Sequence, residues 1–245
     1  MPFQVSVEDN RRPQPRLRVL DHRLFSLDDA FVYVHEDMVV DVPHCLPCTL
    51  RTDLASVPAP LRGLLTPYGR QLLPAVMHDD LSNQALKAGR SGMRLRRRAD
   101  ELFRLALLDE GVGRCRSLLF WVGVEVGRYW TFTRYLRFLL IAQHVLGMLC
   151  WVVGAPWALM GGHPGYALAL LIAPVVTAML WRRDFPVALL GCVILPLVAP
   201  TYLLTIATAA VLWVPDGLAW AFGRRSAPTP PPLGPPTNVL GGTHT

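Results

Sequence analysis

The hydrophobic pattern of the chain changes twice. Between residues 31 and 42, apolar and β-branched side chains run through Phe31-Val32-Tyr33-Val34 and Met38-Val39-Val40-Asp41-Val42, joined by the polar His35-Glu36-Asp37. Such residues suit a pleated, half-buried surface, so the pattern predicts a β-hairpin. Runs at 16–20 and 24–27 are candidates for further strands. After Pro60 the period lengthens: Leu72, Val76 and Leu81 follow helical spacing, as do Leu95, Ala99, Leu102, Phe103 and Ala106. The first half is therefore expected to be α+β, a small sheet followed by helices. At about 110 residues it can enclose one core.

From residue 138 the pattern becomes almost continuously apolar. A helix needs about 20 apolar residues to cross a bilayer, and residues 138–160 meet that length without a charge. Residues 165–181 give a second, shorter crossing after the turn-rich Gly161-Gly162-His163-Pro164, so the two read as a transmembrane hairpin. Residues 186–222 are too long for one ordinary span and scarcely enough for two. Pro196, Pro200 and Pro215 punctuate them, and proline removes a backbone donor and bends a helix. A turn near Ala199-Pro200-Thr201 would give four crossings, the preferred count, and an unbroken segment three.

The expected organisation is a flexible N-terminus at 1–15, a soluble α+β domain at 16–137, a membrane region of three to four helices at 138–222, and a disordered Pro-rich tail at 223–245. Residues 1–23 are polar and rich in Arg and Pro, unlike a cleavable signal peptide. Lys and Arg accumulate in cytoplasmic loops. Arg128, Arg134 and Arg137, and again Arg182 and Arg183, thus place the soluble domain on the cytoplasmic side of an integral membrane protein.

The 24 Lys and Arg against 18 Asp and Glu give a net charge of +6, which raises the question of nucleic acid. The densest cluster, Arg94, Arg96, Arg97 and Arg98, has no interleaved aromatic residues to stack on bases. No nucleic-acid partner is expected. A solvated helix face is the simpler reading, and attraction to anionic lipid headgroups is the better alternative beside a bilayer.

Candidate chemistry lies between the strands and the helices. Asp53 and Ser56 are three apart, where short polar side chains ordinarily cap amides and shape turns. The functional alternative makes Asp53 a metal ligand or base and Ser56 a donor or nucleophile. His78 and Asp79 are consecutive on a predicted helix and diverge by about 100°, yet imidazole and carboxylate both suit a divalent ion. Asp100 lies beside the Phe103 and Leu107 face, and a partly buried Asp needs a partner: His78, an Arg or a metal. The catalytic candidates are Asp53, Ser56, His78, Asp79 and Asp100, and the metal candidates Asp53, His78, Asp79 and Asp100, with a divalent ion as the implied cofactor. Cys45 and Cys48, with His44 beside them, form a Cys-x-x-Cys pair. A structural zinc site needs four ligands and no second pair follows, and a disulfide is disfavoured in a reducing cytosol.

The order Thr52-Asp53-x-x-Ser56-x-Pro58, Pro67-Tyr68-Gly69, His78-Asp79 and Arg98-Ala99-Asp100-x-x-Phe103 resembles a phage and bacterial family known as domain of unknown function 1353. Phe120-Trp121-Val122-Gly123-Val124-Glu125-Val126-Gly127 and Trp130 extend the resemblance, which covers roughly residues 19–130. It implies a phage, prophage or bacterial origin and an α+β domain, without an activity, and it singles out the same Asp53, Ser56, His78, Asp79 and Asp100. The Cys45–Cys48 pair and the membrane region depart from its usual form.

Two functions follow as expectations. One is a membrane-anchored accessory protein that recruits or positions a protein partner at the bilayer. The other is a membrane-tethered metal-dependent hydrolase in which Asp53, His78, Asp79 and Asp100 hold a water-activating ion. The His-Asp pair has a parallel in helical phosphohydrolases, but His22, His35 and His44, the upstream histidines, sit in no convincing helix. A transporter would want charges within its spans. Gln143, His144 and Asp216 are the polar residues available, and His144 reads better as an interhelical hydrogen-bonding residue.

Overall fold

A computed structural model of the chain describes residues 1–19, 25–43, 50–52 and 69–223. Among these residues six strands precede seven helices: β1 (Phe3–Gln4), β2 (Leu17–Val19), β3 (Phe25–Leu27), β4 (Phe31–His35), β5 (Met38–Val42), β6 (Leu50–Thr52), α1 (Leu72–Lys87), α2 (Gly92–Asp109), α3 (Arg114–Phe132), α4 (Leu136–Leu149), α5 (Ala155–Met160), α6 (Pro164–Met179) and α7 (Phe185–Ala221). The α+β class is as expected. The chain divides into two compact units; the first holds the strands, α1, α2 and α3 as far as Arg128, and the second begins at Tyr129.

In the first unit the strands form two antiparallel three-stranded sheets, ordered β1-β4-β5 and β2-β3-β6. The β4–β5 hairpin pairs Val34 with Val39 and His35 with Met38, and Glu36 turns the chain at a φ of 52°. The strand β1 falls within residues 1–15, the stretch expected to be a flexible N-terminus. Phe3 is 1% exposed and its ring lies 4.9 Å from that of Tyr33. Burying one such ring is worth about 1.5–3 kcal/mol, enough to hold a two-residue strand against β4.

Both sheets face α1 and α2. Phe31, Tyr33 and Val42 from one sheet and Leu27 and Leu50 from the other meet Leu73, Val76 and Met77 of α1 and Leu102 and Ala106 of α2. On α2 the buried positions Ala99, Leu102, Phe103, Ala106 and Leu107 follow the helical period. Leu95, expected on that face, is 43% exposed. On α1 burial extends nearly all round from Leu73 to His78 and includes Asp80 and Ser82, so its polar side chains must find partners inside.

In the second unit α4 packs along α7 and α5 against α6. Between α4 and α5 the helix widens into a π turn at Cys150–Gly154. Pro156, in the first turn of α5, explains it: the ring cannot donate and clashes with the carbonyl four residues back, and a wider turn relieves both problems. The turn expected near Ala199-Pro200-Thr201 is absent, because α7 continues unbroken through Pro196, Pro200 and Pro215. Each proline removes one hydrogen bond, which an otherwise complete helical ladder tolerates in apolar surroundings.

Two helical stretches, Leu136–Met160 of 25 residues and Arg182–Ala221 of 40, are long and apolar enough to cross a membrane; Pro164–Met179 is a shorter apolar helix. Only 22% of each apolar window is buried, whereas the core helix of a soluble protein is mostly covered. Trp157, Met160, Leu180 and Val211 point outward.

Three polar side chains of this unit turn to backbone carbonyls. Gln143 Nε2 donates to Pro174 O at 3.0 Å, His144 Nε2 to Val187 O at 3.2 Å and Trp151 Nε1 to Leu171 O at 3.0 Å. Each of these bonds ties one apolar helix to the backbone of another. Asp216 lies on α7, and its side chain is outside the described part.

Candidate functional site

The first unit buries a polar cluster between α1, α2 and α3. His78 on α1 faces Asp100 on α2, with Nε2 and Oδ1 at 2.7 Å. Arg96, one turn before Asp100, donates from Nε to the same oxygen at 3.0 Å. Arg128 on α3 donates from Nη1 to the other oxygen at 3.2 Å, and its Nη2 pairs with Glu125. Asp100 and Arg128 are both 0% exposed. Two guanidinium groups and two carboxylates balance around a neutral imidazole, the condition under which buried charge is tolerable.

Local geometry explains the assembly. Helix neighbours three and four residues apart share a face, so Arg96 reaches Asp100 and Arg128 reaches Glu125 within their own helices. Phe103 covers His78, with ring centroids 4.9 Å apart, and Phe120 meets Phe103 edge-on. A carboxylate accepts only, so Nε2 of His78 carries the proton and Nδ1 the lone pair.

Burial pushes the imidazole below its ordinary pKa of 6.5, and the nearby Arg96 charge adds to the effect against the opposing pull of Asp100. Below pH 6.5 the unfolded chain protonates His78 while the folded chain resists, so the unfolded state holds more protons and stability falls on acidification. The denaturation midpoint of the full chain in detergent is expected to hold steady above about pH 7 and to decline below pH 6.5. His78→Gln should flatten that decline; an unchanged slope would assign the titration to another group.

Asp79 points elsewhere, as its position next to His78 requires. Thr52 Oγ1 donates to Asp79 Oδ2 at 2.5 Å, and Thr52 is 0% exposed. The last residue of β6 is thereby tied to the His78-Asp79 pair. Asp53, Ser56, His44, Cys45 and Cys48 lie outside the described residues. Of the candidates that are described, His78 and Asp100 come together, while Asp79 serves a separate bond.

Arg96, Glu125 and Arg128 were not among the candidates. Arg96 reads in sequence as one of four exposed cations, and Arg128 as a loop cation beside the membrane; both are instead drawn to Asp100. The available signal was the Glu125-x-x-Arg128 spacing inside the apolar α3, since a buried helix face rarely carries two charges that do not pair. Among the described residues no group of three or more His, Cys, Asp and Glu is placed to hold a metal. The oxygens of Asp100 already accept from two guanidinium groups, so a divalent cation there would meet two like charges.

A smaller polar group closes the other end of α2. Tyr33 Oη donates to Asp109 Oδ2 at 2.8 Å, and His35 Nδ1 lies 2.7 Å from the same oxygen. Burial and this hydrogen bond raise the Tyr33 pKa.

Comparison with known proteins bears on this unit. Residues 25–124 match the family model described as protein of unknown function (DUF1353). The match takes in β3 to β6, α1, α2 and the first half of α3, including His78, Asp79 and Asp100. No curated protein and no solved structure matches the chain.

Proposed function

We propose that the protein is a membrane-anchored accessory protein of phage or prophage type, whose domain of unknown function recruits or positions a protein partner at the cytoplasmic face. The observation that carries this reading is the outward-facing apolar surface of Leu136–Met160 and Arg182–Ala221, which a bilayer would cover. Three crossings fit better than four. With 37 residues at about 1.5 Å each, α7 extends roughly 55 Å, beyond a hydrocarbon core of about 30 Å, but has no turn to bring it back.

The polar cluster supports a structural role for the domain. Each described acid in it already has a partner within the protein, whereas a metal-dependent hydrolase would need Asp100 released from Arg96 and Arg128. A recruiting domain requires only a stable fold and a surface.

The test is alkaline extraction of membranes from cells producing the full chain, with a topology reporter fused after Arg225. The chain is expected to remain in the pellet, and the reporter to register the side opposite the soluble domain. Release into the alkaline supernatant would overturn the membrane reading, and a cytoplasmic reporter would restore the fourth crossing.

A further inference from the structure

One end of the second unit gathers cations that no described acid neutralises. Arg134 and Arg137 stand at the start of α4, and Arg182 and Arg183 at the turn between α6 and α7. Tyr129 joins the two places: its hydroxyl donates to Asp184 at 2.5 Å and its ring meets Trp181 edge-on, with centroids 5.5 Å apart. The acid closest in sequence, Asp184, is buried and accepts from Tyr129. Among the described residues none of the four arginines forms an ion pair.

The side chains of Arg134 and Arg137 are arranged on aromatic rings rather than merely solvated. The Arg137 guanidinium lies 4.9 Å from the centre of the Trp130 ring and 4.8 Å from that of Phe138. Contacts on two rings fix the plane of the guanidinium and leave its edge for a ligand. The Nε of Arg137 is buried and has no hydrogen-bond partner among the described residues, while the residue as a whole stays partly exposed, so its guanidinium keeps donors for an acceptor from outside the chain. Arg134 lies over Tyr135 at 5.5 Å, while Arg182 and Arg183 are exposed.

The surroundings select the acceptor. Planar guanidinium groups match phosphate oxygens in a two-pronged geometry. Trp130, Tyr135 and Phe138 are 45%, 71% and 56% exposed at the end of apolar helices, where aromatic residues seat at the headgroup level of a bilayer. Four positive charges without an ion pair among the described residues favour a headgroup with net negative charge over a zwitterionic one.

We propose that this end of the second unit is a binding site for anionic phospholipid, in which Arg134, Arg137, Arg182 and Arg183 hold the headgroup phosphate and the three rings flank it. The proposal rests on the membrane-anchored reading. Alkaline extraction tests that reading independently, so the two can fail separately.

The experiment uses the full chain purified in a non-ionic detergent and records its Tm with phosphatidylglycerol, phosphatidylcholine or inorganic phosphate added. Phosphatidylglycerol is expected to raise Tm by roughly 3 °C or more, the other two by much less. The variant R134Q/R137Q/R182Q/R183Q should lose the difference between the lipids. The milder R182Q/R183Q changes exposed residues that make no described side-chain contact and should reduce it by half or more; R94Q/R98Q, on α2, should leave it intact. An equal rise with phosphatidylcholine, an equal rise with inorganic phosphate, or full selectivity in R182Q/R183Q would overturn the proposal.

Discussion

Asp100→Asn is expected to destabilise the folded protein by about 3–5 kcal/mol, the range for removing one partner of a buried ion pair. Asp100 is fully buried and its two oxygens accept from Arg96, His78 and Arg128. The amide would keep the volume but lose the charge, leaving Arg96 without a counter-charge and Arg128 with Glu125 alone. Its NH2 group would also face at least one guanidinium, donor against donor. Since native domains are stable by only about 5–15 kcal/mol, this change takes a large share of the total. His78→Gln should cost less, about 1–3 kcal/mol, because it removes a neutral partner. Arg98→Gln, on the solvent face of the same helix, should stay within about 0.5 kcal/mol. Denaturant midpoints of the full chain in detergent measure all three. A chelator should leave the wild-type midpoint unchanged, because the charges of the cluster already balance. An Asp100→Asn variant within 1 kcal/mol of wild type would show that the cluster does not act as a unit.

The same residues show where the sequence could be read and where it could not. The β4–β5 hairpin and the helices α1 and α2 were legible because their periods, near 2 and 3.6, are local properties of short windows. Asp100 was legible as an inward-facing acid because it shares a helix face with Phe103 and Leu107. Its partners were only partly legible. Arg96 sits in a run of cations in which composition cannot distinguish the member that turns inward. Arg128 comes from a helix 28 residues away and carries the sign expected of a membrane-flanking loop. The bond from Thr52 to Asp79 spans 27 residues and depends on how β6 meets α1. For Phe3 the burial was invisible, since a two-residue strand has no period and exists through its pairing with β4.

Proline misled in one place and informed in another. In a water-soluble segment Pro196, Pro200 and Pro215 would each argue for a break, and the expectation of a turn at Ala199-Pro200-Thr201 followed from that. The helix α7 runs through all three, since each proline removes one backbone donor and the rest of the hydrogen-bond ladder remains. Pro156 acts on the preceding turn, where the π widening absorbs the clash without ending the helix. A lone proline in the sequence does not distinguish these outcomes; the packing of α5 on α6 and of α4 on α7 does.

Gly147→Ala should destabilise the second unit by up to about 2 kcal/mol and Gly191→Ala by about 0.6–2.6 kcal/mol. A Cβ on Gly147 would lie 2.3 Å from the Cys192 sulfur and 2.8 Å from its Cβ, and one on Gly191 would lie 2.1 Å from His144 Nε2. The contacts are reciprocal, a small residue and a larger one on each of α4 and α7, so neither helix can yield without moving the other. The Cys192 thiol could rotate away, but its Cβ is fixed to the backbone, and α4 and α7 would have to separate at that level. At Gly191 the whole His144 ring is displaced, and its hydrogen bond to Val187 O is lost. Overpacking costs about 1–3 kcal/mol and the lost interhelical bond roughly 0.6 kcal/mol more, against a gain of about 1 kcal/mol from replacing a helical glycine. Gly123→Ala provides the contrast: nothing lies within 4 Å of its added Cβ, so only the helical gain remains, and Tm should rise. Thermal unfolding of the three variants in one detergent separates close packing from backbone entropy. Three equal shifts, upward or absent, would mean that α4 and α7 do not approach as closely as Gly147 and Gly191 permit.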